Sequence, residues 1–205
     1  MIAVIDYGVG NLFSLKSSFA AIGVETVVTG DPAVIHSADK LILPGVGAFG
    51  DAAALLLRNG LDKLVINEAA SGKPLLGICL GMQLFFDYGL EYGRHEGLGL
   101  IPGSVRPIGD YIPEGYKIPH IGWNALHFPA GKPVSPLFQH IHEGDCVYFV
   151  HSFCGAECGD SVIATAEYGA ELTAAVARGN VYGVQFHPEK SGAVGLNILR
   201  AFCEL

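Results

Sequence analysis

The residues around Cys79 constrain the fold of this chain more than any other segment. An apolar run at residues 75–78 leads into a Gly-x-Cys-x-Gly turn, and the residues that follow favour a helix. The turn needs glycine at Gly77 and Gly81, because a Cβ at either position would collide with neighbouring backbone. We therefore predict a buried strand, a sharp turn and a helix, with Cys79 at the helix N-terminus.

This position predicts that Cys79 is an activated nucleophile. The same geometry forms a nucleophile elbow when the central residue is serine. At a helix N-terminus the macrodipole and the free N–H groups favour thiolate over thiol, and these N–H groups can also stabilise an oxyanion. The alternative is that Cys79 is a small buried hydrophobic residue, as most free cysteines are. The flanking glycines favour the nucleophile.

The first half of the chain alternates between predicted strands and predicted helices. We predict strands at residues 2–6, 25–28, 40–43 and 75–78, and helices at residues 11–23, 51–70 and 80–87. Asn11 is the expected N-cap of the first helix, which ends at Gly23. Short apolar strands that alternate with helices are typical of parallel βαβ units whose strands are buried on both faces.

The second half has a different pattern, in which residues 99–184 are rich in strands. Gly179 and Asn180 lie between two apolar runs, which predicts a hairpin. Residues 191–202 predict a closing amphipathic helix, and no repeat or linker divides the chain. We therefore expect a single domain over residues 1–205, of the α/β class, with a mostly parallel central sheet, flanking helices and an antiparallel strand elaboration.

His187 and Glu189 form the second candidate motif. They follow an apolar strand, and Pro188 keeps His187 out of helical geometry. Side chains two residues apart in extended backbone point the same way, so Glu189 can orient the imidazole of His187. A cysteine nucleophile needs such a base and such an orienting group. His-Pro-Glu is also a common tripeptide, and only its combination with the Cys79 turn favours a catalytic role.

Two glycines after the predicted strand at residues 40–43 indicate an oxyanion site. Gly45 and Gly47 free the backbone on either side of Val46, so that an N–H group can point into a site. It would act there with the N–H group of Leu80. The alternative is an ordinary tight turn.

Composition excludes several classes of partner. The net charge is -8 and no stripe of lysine or arginine is present to meet phosphates, so we expect no nucleic acid. No apolar stretch reaches membrane-spanning length, so we expect no membrane partner. Five cysteines without paired spacing, and an N-terminus that leads directly into a strand, predict a reduced, cytoplasmic protein.

We expect neither a metal nor an organic cofactor. Gly8 and Gly10 follow the first strand, but a dinucleotide fingerprint would also need glycine where the chain has Phe13. His140 and His142 have no third ligand nearby in the sequence and are expected at the surface. Trp123, the only tryptophan, stands either in the core or in an exposed contact patch.

Several motifs resemble those of a known family. The segment GICLGMQ at 77–83, with the distant HPE at 187–189, resembles the class I glutamine amidotransferases, the triad glutaminases. Further segments are similar, more narrowly, to the glutaminase-subunit family of imidazole glycerol phosphate synthases. They are DYGVGNL at 6–12, PGVGAF at 44–49, PHIGWN at 119–124, YFVHS at 148–152 and PEKS at 188–191. The resemblance covers essentially the whole chain.

The resemblance implies a reaction and a partner. Glutamine would be hydrolysed to glutamate and ammonia, and no metal or organic cofactor would take part. The ammonia would pass to a separate (βα)8-barrel cyclase subunit, where it would react with a nucleotide intermediate of the histidine pathway. The products would be imidazole glycerol phosphate and AICAR. The implied fold is the three-layer fold of the class I amidotransferases.

The resemblance also implies roles for individual residues. Cys79 would attack the γ-amide and form a glutamyl thioester, His187 would protonate the departing ammonia and then activate water, and Glu189 would fix His187. The other implied residues are the backbone oxyanion donors Gly45, Val46, Gly47 and Leu80, the glutamine-binding residues Gln83, Glu91, His151 and Ser152, and the cyclase-facing residues Asn11, Trp123, Tyr148 and Lys190.

Two other classes of function stay open at this point. One is the glutaminase of another synthase, or a stand-alone cysteine hydrolase; the segments around Trp123 and Lys190 argue against it. The other is a catalytically silent regulatory subunit. The presence of Cys79, His187 and Glu189 together argues against that class.

Overall fold

The structure is a computed structural model that describes residues 1–205, and strands and helices alternate through its first half. The strands are β1 (Ile2–Ile5), β2 (Thr26–Thr29), β3 (Lys40–Leu43), β4 (Leu75–Ile78), β5 (Tyr88–Gly89), β6 (His95–Glu96), β7 (Ser104–Pro107), β8 (His120–Ala125), β9 (Cys146–His151), β10 (Phe153–Ala156), β11 (Val162–Glu167), β12 (Glu171–Arg178) and β13 (Val181–Val184). The helices are α1 (Leu12–Ala21), α2 (Pro32–Ser37), α3 (Phe49–Arg58), α4 (Leu61–Ala70), α5 (Leu80–Gln83) and α6 (Gly192–Glu204).

A seven-stranded sheet forms the centre of the molecule, in the order β11-β12-β13-β4-β3-β1-β2. The five strands from β13 to β2 run parallel to one another, while β12 and β11 continue the sheet antiparallel. Two smaller sheets lie outside it, a four-stranded one (β10-β7-β5-β6) and a two-stranded ribbon (β8-β9). The expected mostly parallel sheet with an antiparallel elaboration is confirmed, as is the hairpin that joins β12 and β13.

Side chains on the two faces of the sheet enter separate apolar clusters, which makes the fold three-layered. Ala3 and Ile5 belong to one cluster of 24 buried residues, to which α2, α3 and α4 contribute. Ile2 and Val4 belong to another of 23, to which α1 and α6 contribute. This alternation follows from the two-residue period of a strand and explains why β1 is apolar at every position. No helix is long and apolar enough to cross a membrane.

Three local predictions for the first half were wrong. Residues 51–70 form two helices instead of one, because Gly60 takes a left-handed conformation (φ 66°) that separates α3 from α4. Asn11 precedes α1 but makes no capping bond, since its φ and ψ of -88° and 64° depart from the extended cap geometry. Helix α5 ends at Gln83, because the carbonyls of residues 84–86 accept hydrogen bonds from residues 98–101 instead.

The ends of β3, β4 and β13 meet at the same edge of the sheet. Ile78 pairs with Val184 and Leu43 with Gly77, so the residues that follow these strands are neighbours in space. Ligand sites of parallel α/β sheets lie at this carboxyl edge. Cys79, the segment 44–47 and His187 all follow these strands directly, so the register alone places the candidate residues together.

The glycines of the Cys79 turn permit a close approach between β3 and α5. A Cβ on Gly81 would overlap the carbonyl oxygen of Leu43, and one on Gly77 would lie 2.7 Å from the backbone nitrogen of Met82. Neither obstacle is a flexible side-chain tip, so neither can give way cheaply. The predicted need for glycine at both positions is confirmed.

Replacement of Gly81 by alanine should therefore destabilise the protein. We expect the free energy of unfolding to fall by about 3 kcal/mol, at the upper end of the usual range for overpacking, because backbone must move. Denaturant unfolding followed by circular dichroism measures this. Gly109→Ala is the matched control, since its Cβ would meet only the mobile Cδ1 of Ile118 at 3.1 Å. Equal stability of the two variants would contradict the steric argument.

Candidate active site

Cys79 stands on a strained turn between β4 and α5. Its φ and ψ are 54° and -111°, a conformation that non-glycine residues rarely adopt. Its N–H donates to the carbonyl of Val184 at 2.8 Å, which fixes the turn against β13. The residue is 8% exposed. The turn therefore places the Cys79 thiol at the carboxyl edge of the sheet, as the prediction of a nucleophile elbow requires.

His187 and Glu189 are held together beside it. Nδ1 of His187 lies 2.8 Å from Oε1 of Glu189, and both side chains are almost fully buried. His187 itself is extended (φ -102°, ψ 97°), but Pro188–Lys190 form a short 3-10 turn, which brings the Glu189 side chain back to the imidazole. Two further bonds fix that backbone, from the His187 N–H to Tyr148 O and from Ser191 Oγ to His187 O. The predicted pairing of Glu189 with His187 is confirmed, but the prediction that an extended backbone through residues 187–189 produces it was wrong.

The charge of His187 is set by its neighbours. Burial alone would lower the pKa of His187, but hydrogen bonding to Cys79 and to Glu189 outweighs burial and raises this pKa to about 9. The imidazole is therefore protonated at neutral pH and lies between the Cys79 thiol and the Glu189 carboxylate. Such an arrangement favours the thiolate form of the nucleophile and supplies a proton for a leaving group.

A cavity of about 350 Å³ opens in front of these side chains. It is lined by Cys79 and His187 together with eleven other residues. They are Val46, Gly47, Leu80, Gln83, Glu91, Pro119, Val150, His151, Ser152, Phe153 and Lys190. All four residues expected to bind glutamine line it. Gly45 and Glu189 do not, since Gly45 lies under the turn and Glu189 lies behind His187.

Glycine is needed at positions 45 and 47 for two different reasons. A Cβ on Gly45 would lie 2.7 Å from Gly81 N and 2.9 Å from Tyr7 Oη, so close packing demands glycine. Gly47 has open space around it but a φ of 98°, so conformation demands glycine. Tyr7 Oη donates to Pro44 O at 2.8 Å. The segment is thus anchored at Pro44, and at Gly47 it takes a conformation that only glycine adopts easily.

Two of the glutamine-binding candidates already hold protein groups. Oε2 of Glu91 accepts from the N–H of Phe49 at 2.7 Å, at the N-terminus of α3. Nε2 of Gln83 donates to Phe153 O at 3.1 Å and to Gln185 Oε1 at 2.9 Å. These bonds fix the two side chains and leave the second carboxylate oxygen of Glu91 and the amide oxygen of Gln83 as acceptors at the cavity.

His151 is a neutral histidine in the same cavity. Burial lowers the pKa of His151 to about 4. Its Nδ1 lies 2.9 Å from Phe153 O, and its Nε2 lies 3.1 Å from Nδ1 of His120. Because a carbonyl can only accept, Nδ1 of His151 carries the proton and Nε2 accepts from His120. Sequence reasoning missed His120, which is 3% exposed.

The expected partner-facing residues form a surface cluster, with one exception. The rings of Trp123 and Tyr148 have centroids 6.1 Å apart, and Nζ of Lys190 lies 5.8 Å from the centroid of Tyr148. Trp123 is 58% exposed, so it belongs to the surface and not to the core. No side-chain contact joins Asn11 to this cluster.

His140 and His142 each pair with a nearby carboxylate, and no group of three or more metal-ligating side chains occurs.

Gln185 is the other residue that sequence reasoning missed. It is fully buried, and Nε2 lies 3.7 Å from Cys79 Sγ. A polar residue two positions before His187, in an otherwise apolar strand, was the available signal. In extended backbone it shares the face of His187.

The whole chain matches the model of one protein family. Residues 3–204 match the family described as glutamine amidotransferase class-I. The chain belongs to this family. The prediction of a class I amidotransferase, made from the motifs around Cys79 and His187, is thereby confirmed, as is the three-layer fold.

Curated members of the family resemble the chain over its full length. Proteins named imidazole glycerol phosphate synthase subunit HisH are 47% identical in Geobacillus sp. (strain WCH70), 48% in Syntrophotalea carbinolica and 46% in Methanothermobacter thermautotrophicus. Each alignment covers 100% of this chain and 97%, 100% and 98% of the relative, respectively. The narrower resemblance is thus confirmed.

Two solved structures that are more distant in sequence show the same fold. A crystal structure of a glutamine amidotransferase has a TM-score of 0.76 at 19% identity and covers 100% of this chain and 98% of the other. The structure of PurLQS from Thermotoga maritima has a TM-score of 0.76 at 20% identity and covers 99% and 97%. At such identities the likeness establishes the fold alone.

The low pKa of His151 predicts a loss of stability in acid. The unfolded chain takes up a proton near pH 6.5, whereas the native His151 does so only near 4, so stability is present above pH 6.5 and is lost as the pH falls toward 4. The loss attributable to this residue should be roughly 3 kcal/mol between pH 7 and pH 4. His151→Gln should remove that part of the pH dependence of unfolding.

The measurement is the free energy of unfolding of both proteins in urea at each pH. His142→Gln is the control, because the His142 side chain is 92% exposed. If wild type and His151→Gln lost stability in parallel across this range, His151 would not be the group responsible.

Proposed function

We propose that this protein hydrolyses glutamine to glutamate and ammonia. The observation that carries the proposal is that Cys79, on a strained turn, and His187, bonded to Glu189 at 2.8 Å, face the same cavity. Membership of the class-I amidotransferases supports glutamine as the nitrogen donor. We take residues 1–205 as a single amidotransferase domain that needs no metal or organic cofactor.

The chemistry follows from the charges of the site. The Cys79 thiolate attacks the γ-carbonyl carbon, and the resulting tetrahedral intermediate breaks its C–N bond as the His187 imidazolium gives a proton to the departing nitrogen. Ammonia leaves and a glutamyl thioester remains. Neutral His187 then takes a proton from water, the hydroxide adds to the thioester, and the C–S bond breaks to release glutamate. General acid and base action of this kind supplies roughly 10²–10⁴-fold in rate.

Backbone N–H groups stabilise the oxyanion of both intermediates in this proposal. Leu80 is the first residue of α5, so its N–H has no partner within the helix. Gly45, Val46 and Gly47 supply the second donor, worth about 10²–10³-fold. Since Pro44 is anchored by Tyr7 and glycine at position 47 lowers the cost of rotating the backbone, we propose that the peptide between them turns into its active orientation when the partner and its ligand bind.

The substrate is held by the residues around the cavity. We assign the ammonium group of glutamine to Glu91 and the rest of its polar head to Gln83, whose amide oxygen is available as an acceptor. Backbone groups of His151 and Ser152 complete the site. The carbonyl of Ser152 already accepts from the N–H of Ile108 at 2.9 Å, so its N–H group is the one left for the substrate.

The ammonia is delivered, we propose, to the cyclase subunit of an imidazole glycerol phosphate synthase, a (βα)8-barrel. The names of the full-length relatives support this, and so does the exposed cluster of Trp123, Tyr148 and Lys190 beside the cavity. Asn11 extends the same contact surface in this proposal. The products are imidazole glycerol phosphate and AICAR in histidine biosynthesis. Five unpaired cysteines fit a cytoplasmic location.

Replacement of the nucleophile tests the reaction. Cys79→Ser should lose glutamine hydrolysis by at least about 10³-fold, because serine is not activated by this imidazolium. Acid-quenched mass spectrometry should detect a glutamyl adduct on Cys79 in wild type and none in the variant. Cys146→Ser, which changes an exposed cysteine, is the control and should behave as wild type. Activity retained in Cys79→Ser would place the nucleophile elsewhere, and an inactive wild type with the cyclase present would indicate a silent subunit.

Replacement of the exposed tryptophan tests the partner. Trp123→Ala should weaken binding of the cyclase subunit by about 30-fold, the effect expected for an interface hot spot. Titration calorimetry measures this, and Tyr92→Ala, which removes a side chain that is 91% exposed and outside the cluster, is the control. Equal affinity of the two variants, or no binding by wild type, would favour another synthase or a stand-alone hydrolase.

A further inference from the structure

A fully buried amide lies directly behind the nucleophile. Gln185 has no exposed surface and does not line the cavity, so it touches no substrate. The pairing of Ile78 with Val184 places it beside Cys79, one position further along the two parallel strands. Its own N–H donates to Ala174 O at 2.8 Å, so its backbone is fixed by β12. The side chain therefore has one well-defined place from which to act.

The direction in which this amide points can be derived from its neighbours. Phe153 O can only accept, so the group that Gln83 presents to it at 3.1 Å is Nε2. The same Nε2 also donates to the Gln185 side chain at 2.9 Å, so the atom of Gln185 that accepts must be Oε1. That leaves Nε2 of Gln185 to face Cys79 Sγ at 3.7 Å. One backbone carbonyl thus fixes the orientation of two side-chain amides and puts a donor against the sulfur.

We propose that Gln185 is a positioning residue of the active site, which holds Cys79 Sγ beside His187 and at the same time fixes the amide of Gln83 at the cavity. An N–H donor favours the anionic form of an acceptor, so the amide stabilises the thiolate without adding a charge. Its second bond keeps the oxygen of Gln83 available to the substrate. The part of this proposal that concerns glutamine rests on the proposed function; the part that concerns the thiolate does not.

Both partners of the Gln185 side chain belong to the site. The partly buried Asn180, by contrast, donates only to backbone, to Ala69 O and Lys73 O. Gln185 instead connects the nucleophile to a residue that lines the cavity. An apolar side chain of the same size would fill the volume but would leave the sulfur without a donor and Gln83 with one partner fewer.

The test measures the thiolate directly. Gln185→Met and the isosteric Gln185→Glu are alkylated with iodoacetamide across a range of pH, and the rate at Cys79 is read by peptide mass spectrometry. Exposed Cys146 in the same samples is the internal reference. Gln139→Met is the matched control, because Gln139 is exposed and bonds only to Glu204. His187 and Tyr7, the titratable groups near Cys79, are common to all four proteins.

We expect the pH midpoint of Cys79 alkylation to rise by about one unit in Gln185→Met, the effect of removing a hydrogen bond to an anion. Below the midpoint the rate should fall about tenfold. Gln185→Glu should shift the midpoint at least as far, because it brings a carboxylate to the sulfur, and Gln139→Met should not shift it. In the presence of glutamine, Gln185→Met should also show a KM raised several-fold, since the amide of Gln83 is no longer fixed, whereas Gln185→Glu still accepts from Gln83 Nε2 and should keep the wild-type KM.

An unchanged midpoint in either Gln185 variant that retains the wild-type circular dichroism spectrum would overturn the proposal and leave Gln185 as a packing residue. If Gln185→Met does not fold, Gln185→Glu decides, since it keeps the shape of the side chain. The outcome is separable from that of the proposed function. A shifted midpoint in a protein that does not hydrolyse glutamine would support the positioning role of Gln185 and contradict the proposed glutaminase activity. An unchanged midpoint in a protein that hydrolyses glutamine would contradict the positioning role and support the activity.

Discussion

The parallel pairing of β4 with β13 is the interaction on which the rest of the site depends. Cys79 and His187 are far apart in the sequence, yet each lies just beyond the end of its strand, and the bond from Cys79 N–H to Val184 O (2.8 Å) locks the two ends together. A slip of one residue would turn every side chain on β13 to the opposite face. Gly77 and Gly183, which pair across the two strands, prevent such a slip, because a Cβ at these positions would lie 2.5 Å from the Phe85 ring and 2.4 Å from the Met82 side chain, so close packing sets the geometry of the site.

Two histidines in the same cavity have opposite charge states, and the reason lies in their partners. His187 faces a thiol and a carboxylate, which raise its pKa to about 9 against the effect of burial. His151 faces a carbonyl and a neutral histidine, so burial prevails and lowers its pKa to about 4. At neutral pH the cavity thus holds one imidazolium, and it lies next to the nucleophile. A second cation at His151 would compete with His187 for the thiolate and would repel the ammonium group of an amino acid.

Features of the fold that are determined by neighbouring residues could be predicted from the sequence, whereas features that depend on distant residues could not. The glycines at 77 and 81, the extended backbone at His187 and the hairpin at Gly179 are set by neighbouring residues, and they were predicted correctly. The division of residues 51–70 at Gly60 was missed because glycine inside an apolar helical pattern does not by itself show a break. The early end of α5 depends on carbonyls that bond to residues 98–101, and no local pattern contains that information.

Gln185 and His120 were missed for a related reason, since the role of a buried polar side chain depends on hydrogen-bond partners that are distant in sequence. Position 185 precedes His187 by two, so its facing could be predicted, but its bonds to Gln83 and Cys79 could not. The same holds for the ribbon of β8 and β9. Its pairing of His120 with His151 lies three positions from its pairing of Trp123 with Tyr148.

An odd separation on a strand places the two pairs on opposite faces, one buried at the cavity and one exposed beside it. The exposed aromatic rings and the neutral histidines therefore lie on opposite faces of one two-stranded ribbon, with only Ile121 and Gly122 between them on β8. Phe153 O, which accepts from His151 at 2.9 Å, also accepts from Gln83 at 3.1 Å. A molecule bound to the exposed face of the ribbon would therefore contact the two strands that carry His120 and His151. His151 in turn shares the Phe153 carbonyl with Gln83, whose amide is bonded to Gln185 behind Cys79.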